Sequence, residues 1–145
     1  MENRVILFED DDINRKTLTM LMERMGYRVI SFPDPAEVAW QWRLRPSSRR
    51  RDLVITDNRM PAGSGLEWVR RLIQDGFAHD DVAIMSGFWK WRQLEEARAL
   101  GVQLFFKPFS MDELSQWLSD RSAIQPPGER LVLDMATADL PGAEP

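Results

Sequence analysis

Five short, strongly apolar runs alternate along this chain with segments of helical length: RVILF (4–8), YRVISF (27–32), DLVIT (52–56), DVAIM (81–85) and VQLFF (102–106). No other feature limits the fold as tightly. Each run is too short and too continuously apolar for an amphipathic helix, and Val and Ile dominate several of them. Such runs suit strands buried on both faces, as in parallel sheets covered by helices. The segments between them carry helix punctuation. Leu18, Leu21, Met22 and Met25 recur at helical spacing in 12–25, and Gly26 follows as a stop. Asp34–Pro35 predicts the cap and first turn of a helix over 35–45. Ser64 with Glu67, and Ser110 with Glu113, fit capping boxes that open helices over 65–75 and 111–121. Gly76 and Gly101 close helices over 65–75 and 89–100. Alternation repeated five times predicts an α/β fold, a doubly wound five-stranded parallel sheet with helices on both faces.

Length and composition remove several classes of function. The chain has 145 residues, about one domain, and is 43% hydrophobic and 29% charged, as globular chains are. It has no cysteine, which excludes disulfide scaffolds, thiolate metal sites and cysteine nucleophiles. A single histidine, His79, leaves little for a histidine metal site and reads as a solvated loop residue. Apolar runs such as Val5–Phe8 are far short of the roughly 20 residues that span a membrane. The start, MENRVILFEDDD, has no signal-peptide layout, so a soluble cytoplasmic protein is expected. Much of the net charge of -4 lies after residue 122, where Glu129, Asp134, Asp139 and Glu144 face only Arg130. The nearly neutral body gives no electrostatic footprint for nucleic acid. Arg49, Arg50 and Arg51 read as a solvated loop. Pro126–Pro127–Gly128 and the ending LPGAEP mark 123–145 as a flexible linker or tail after a body at 1–122. Within it, RLVLDM (130–135) is apolar enough to dock on the body.

In folds of this kind ligands collect at the carboxyl ends of the strands. The first run ends in Glu9–Asp10–Asp11–Asp12, the third in Asp57, the fourth in Ser86–Gly87 and the fifth in Lys107–Pro108. Clustered carboxylates repel unless a cation shares them, and oxygen-only ligands suit Mg²⁺. A lysine ammonium and a serine hydroxyl can hold phosphoryl oxygens. Asp57 is then the natural nucleophile for an aspartyl phosphate, with metal and lysine stabilising the transferring charge. Asp11 and Asp12 are also explained as the acidic first turn of a helix.

The ordered set VILFEDDDINR, VITDNRMPAGSGLEW, AIMSG and FFKPF resembles the receiver domain of bacterial two-component response regulators, over about residues 4–121. The resemblance implies a flavodoxin-like (βα)5 fold of strand order 2-1-3-4-5. It implies Asp57 as phosphoacceptor, with Lys107 and the switch hydroxyl of Ser86. It implies Mg²⁺ on Asp10, Asp57 and the Arg59 backbone carbonyl, with Glu9 acting through water. Lys107–Pro108 is expected to be a cis peptide. Arg59 and Phe88 match positions that flank the hydrolytic water and tune the lifetime of the phosphorylated state. Where the family usually has a switching aromatic, three residues before the lysine, this chain has Leu104, with Phe105 beside it as the other candidate.

The implied function is a phosphorylation switch, not an enzyme with a separate substrate. A histidine kinase or phosphotransfer protein supplies the phosphoryl group, and the surface of the fourth helix, fifth strand and fifth helix controls a downstream protein partner. A homodimer is left open. The alternative is a receiver-like interaction module that no longer uses phosphate. A hydrolase reading is weaker, because residue 59 is Arg where phosphatases of similar architecture carry a second aspartate. Six tryptophans stand out. Trp40 and Trp117 fit core faces, whereas Phe88, Trp89 and Trp91 crowd one helix start and read equally as core cover or as a partner surface.

Overall fold

The computed structural model describes residues 2–34, 42–60, 63–123 and 129–135. The strands are β1 (Glu2–Phe8), β2 (Arg28–Phe32), β3 (Trp42–Ser47), β4 (Arg50–Asp57), β5 (Arg59–Met60), β6 (Gly63–Ser64), β7 (Val82–Ser86), β8 (Gln103–Phe106) and β9 (Arg130–Met135). The helices are α1 (Asp12–Arg24), α2 (Gly65–Gln74), α3 (Trp91–Leu100) and α4 (Met111–Ala123). The main sheet has the order β2-β1-β4-β7-β8, and all its pairings are parallel. These five strands are the five apolar runs, so the expected order 2-1-3-4-5 is the one observed. The fold is a flavodoxin-like five-stranded parallel sheet flanked by helices.

Side chains of period two build two cores on the two faces of the sheet. Ile6, Phe8, Val54, Val82 and Ile84 pack with Leu66, Val69 and Leu72 of α2 and Ala97 of α3. Val5, Leu7, Leu53, Ile55, Ala83 and Met85 pack with Met22 of α1 and with Leu114, Trp117 and Leu118 of α4. Trp117 is buried, as its spacing predicts, while Trp40 lies outside the described residues. The helix signals act at the expected places. Ser64 Oγ accepts the Glu67 N–H at 3.1 Å. Ser110 and Glu113 exchange two hydrogen bonds across the start of α4. Gly101 ends α3 at φ 77°, a backbone region that favours glycine.

The helix expected over 35–45 is not carried through to residue 45. Residues 35–41 lie outside the described residues, and Trp42–Ser47 form β3, antiparallel to β9. The local pattern explains this. Leu44 packs on the core of the α2–α3 face while its neighbours Arg43 and Arg45 are exposed, an alternation of period two. Residues 130–135, which composition assigns to a flexible linker or tail, are this partner strand. Val132 and Leu133 are buried, and Leu133 belongs to the same core.

Charge fixes the ribbon to the sheet. Asp52, buried in β4, accepts Arg4 Nε and Nη2 at 2.9 Å each, Arg50 Nε at 3.0 Å and the Leu133 N–H at 2.8 Å. The Leu133 carbonyl accepts Arg4 Nη2 at 2.7 Å and Arg50 Nη2 at 2.9 Å. Arg51, also buried, pairs with Asp81 at 2.7 Å, and Arg130 reaches Asp81 at 2.9 Å. Arg50 and Arg51 are therefore strand residues neutralised by buried acids, not a solvated loop. Position could not be read from the arginine run alone, because the acids come from distant segments.

Leu133→Ala is expected to lower unfolding free energy by about 2–5 kcal/mol, the cost of a core cavity, in urea titrations. A residue in a free tail would change it by less than about 0.5 kcal/mol.

Candidate functional site

The site forms where β1, β4, β7 and β8 end together. Glu9 directly follows β1, and its N–H is held by the Phe32 carbonyl of β2 at 3.1 Å. Arg15 of α1 donates to the Glu9 carbonyl at 2.9 Å and also pairs with Asp12. Asp11 is the N-cap of α1 and accepts the Asn14 N–H at 2.8 Å. The acidic run thus divides into two site residues and two helix-start residues. Asp57 is the last residue of β4 and lies opposite Met85 of β7. The Lys107 N–H donates to the Ser86 carbonyl at 2.9 Å, which ties the end of β8 to that of β7. Lys107–Pro108 is a cis peptide.

Lys107 Nζ lies 2.6 Å from Asp57 Oδ1 and 3.1 Å from Glu9 Oε1. Both carboxylates are buried, while Asp10 beside them is exposed. Ligand atoms of Glu9, Asp10 and Asp57 all lie within 4.8 Å of one another. Glu9 Oε2 is buried and has no hydrogen-bond partner in the structure. An unpaired buried carboxylate oxygen beside two further acids, one of them open to solvent, fits a hard divalent cation such as Mg²⁺. Burial pushes the Asp57 carboxyl above its ordinary range, against the hydrogen bond and charge of Lys107, which pull it down.

The remaining candidates fall around this centre. Ser86 is buried, and its Oγ donates to the Phe88 carbonyl at 2.6 Å and accepts the Phe88 N–H at 3.2 Å. The guanidinium of exposed Arg59 stacks over the Phe88 ring, 5.7 Å from its centroid. Leu104 packs on the α2–α3 face. Phe105 belongs to the opposite face, 4% exposed, with its ring 5.2 Å from Phe109 and 6.2 Å from Trp117. Strand alternation therefore turns Phe105 away from the face of Leu104. Phe106 pairs with Ser86 in register and is 52% exposed, near Trp89.

Two supporting residues were not singled out from the sequence. Fully buried Asn58 uses its N–H on Met85, its carbonyl on Gly65 and its Oδ1 on the Leu66 N–H. Gly65 packs so tightly on the Asp57 carbonyl that a Cβ would collide with it. The available signal was a glycine at a first helical position already capped by Ser64, where flexibility has no purpose but close approach does.

The family model described as the response regulator receiver domain matches residues 5–119. The chain belongs to that family. It is 31% identical to the virulence sensor protein BvgS of Bordetella pertussis, over 94% of this chain and 12% of that protein. It spans about half the length of several curated regulators that it also matches. The non-phosphorylated HemR receiver domain of Leptospira biflexa superposes with a TM-score of 0.71 at 23% identity, covering 87% of this chain and 98% of that one. The receiver domain of the sensor histidine kinase PA1611 of Pseudomonas aeruginosa, solved with a magnesium ion coordinated in its active-site cleft, superposes with a TM-score of 0.64 at 20% identity, covering 83% and 97%. Membership makes this a receiver of two-component phosphorelay signalling, a family of phosphoacceptor switches. No helix among the described residues is long and apolar enough to cross a membrane.

The raised Asp57 pKa carries a sign. The folded state holds this proton more tightly than the unfolded chain does. The penalty is absent below the ordinary value of 3.8 and is complete above the folded pKa. Asp57→Asn is therefore expected to melt above the wild type at neutral pH, and the gap should close on acidification. A gap of equal size at both pH values would contradict this.

Proposed function

We propose that Asp57 accepts a phosphoryl group from a histidine kinase or phosphotransfer protein, with Mg²⁺ bound. The surface of α3, β8 and α4 then changes and controls a downstream protein partner. The observation that carries this reading is the Lys107 ammonium held between Asp57 and Glu9, with Asp10 alongside. An Asp57 carboxylate oxygen attacks phosphorus. The bond from phosphorus to the donor's imidazole nitrogen breaks, its electron pair leaves with the imidazole, and Asp57 becomes an acyl phosphate. Lys107 stays at the oxygens to stabilise their charge, and Ser86 donates its hydroxyl to one of them. Asp10 and Asp57, with the Arg59 carbonyl and with Glu9 through water, would hold Mg²⁺, which supplies charge neutralisation to the phosphoryl oxygens. The turnover is self-catalysed phosphorylation and dephosphorylation of the chain itself. The receiver unit is taken as 1–122, and the docking of β9 extends the folded body beyond it.

Acetyl phosphate with Mg²⁺ should label wild-type protein, as read by intact mass. Label should be absent in Asp57→Asn and after chelation with EDTA, and Lys107→Ala should slow it by about 10²–10³-fold, as loss of an oxyanion-stabilising donor does. Labelling of Asp57→Asn at the wild-type rate would end this reading.

The Arg59 guanidinium stacks over the Phe88 ring, two residues after Ser86, and adds bulk beside the phosphoacceptor. Phe88→Ala should speed loss of the label by admitting water, measured as its decay after the donor is removed. An unchanged rate rejects the tuning role.

A further inference from the structure

We propose that Asn58 is a positioning residue for the metal: its buried carboxamide closes the base of the β5–β6 hairpin and so keeps the Arg59 carbonyl free for the cation. This deepens the phosphoacceptor reading and rests on it. Asn58 stands between the phosphoacceptor and the residue whose carbonyl is offered to Mg²⁺, and it is fully buried. A polar side chain in such a place is costly unless its hydrogen bonds are made. Here Oδ1 accepts the Leu66 N–H at 3.2 Å and Nδ2 donates to Gln93 Oε1 at 3.4 Å. The Asn58 carbonyl accepts the Gly65 N–H at 2.8 Å. The first three N–H groups of α2, which no carbonyl of that helix can reach, are thus shared out. Asn58 holds those of Gly65 and Leu66, and Ser64 Oγ holds that of Glu67. Ser64 is an ordinary helix cap. Asn58 is not, because it reaches the helix from the far side of a hairpin.

The hairpin that this closes is short. Arg59 pairs with Ser64 and Met60 with Gly63, antiparallel. In such a ladder, pairs that exchange hydrogen bonds alternate with pairs that do not. The bond from the Gly65 N–H to the Asn58 carbonyl lies just outside the Arg59–Ser64 pair, so that pair is of the second kind. The Arg59 carbonyl therefore points away from Ser64 and stays out of the hairpin's own ladder. The Arg59 guanidinium is engaged with the Phe88 ring, which leaves the carbonyl as the group offered to a ligand. Gly65 seats the same base against the Asp57 carbonyl, where a Cβ would collide. Asp57 and Arg59, two of the residues proposed to share the cation, flank Asn58 and take their relative placement from it. The backbone bond to Gly65 fixes one point of the base. The side-chain bond to Leu66 fixes a second, and two points set an orientation. Mg²⁺ tolerates little error in the placement of its ligands.

The test is a calorimetric titration of the full chain with Mg²⁺ alone. Asn58→Ala should raise the dissociation constant by about tenfold or more, as loss of a group that orients a metal ligand does. Its labelling by acetyl phosphate should fall at limiting Mg²⁺ and return to about the wild-type rate at saturating Mg²⁺. Leu72→Ala, which opens a cavity in the core beneath the same helix, should lose stability and keep the wild-type constant. That contrast separates positioning from general destabilisation. A second measurement needs no variant. Linkage is reciprocal, so Mg²⁺ added to the wild type should slow hydrogen exchange at the Leu66 amide, which Asn58 Oδ1 holds. An unchanged constant in folded Asn58→Ala, or Leu66 exchange indifferent to Mg²⁺, would overturn the inference and leave the phosphoacceptor reading standing. A wild type without saturable Mg²⁺ binding would overturn the metal reading itself, and this inference with it.

Discussion

The structure depends on one shared cation. Glu9 and Asp57 end adjacent parallel strands, and both are buried there, where two negative charges are costly. The Lys107 ammonium, from a third strand end, lies within hydrogen-bond reach of both. Removing Lys107 would leave two buried carboxylates without their shared cation. The arrangement is nevertheless incomplete: burial still raises the Asp57 pKa despite Lys107, and Glu9 Oε2 has no partner. Both facts describe a pocket built for more positive charge than the chain itself provides. On the function proposed, that shortfall is what a divalent cation and a phosphoryl group would meet.

The far pole of the same strands is organised by the opposite logic. At Asp52 the negative charge is fully satisfied, by Arg4, Arg50 and the Leu133 N–H. Asp52 and Asp57 belong to one strand, β4, five positions apart. One end is closed and carries the β3–β9 ribbon. The other is left electrostatically short and holds the residues proposed to carry the chemistry. The division is sensible for a switch, because a saturated pole gives the unsaturated one a rigid base.

Most of the sheet and the acid–lysine centre were legible in the sequence because both are written locally. The five apolar runs need only their own residues to declare buried strands, and Glu9, Asp57, Ser86 and Lys107 are the residues that end four of them. The ribbon was not legible, since its evidence is split. Leu44 between two arginines gives half a pattern, RLVLDM gives the other half, and only their pairing at residues 42–47 and 130–135 makes a strand of either. The Asp34–Pro35 signal favoured a helix reaching into residues that form β3 instead, because tertiary pairing outweighs local propensity. Asn58 and Gly65 were missed for a related reason. Their value lies in backbone contacts around Asp57 that no spacing rule announces.

The central claim is that four strand ends assemble one cation and phosphoryl pocket. A crystal structure grown with Mg²⁺ and beryllofluoride tests it most directly. The account predicts metal density touching Asp10 and Asp57, a tetrahedral group on Asp57, Lys107 beside that group, and Ser86 Oγ turned from Phe88 toward it. Density absent from Asp57, or metal bound elsewhere with Lys107 still closing Glu9 onto a bare Asp57, would contradict it.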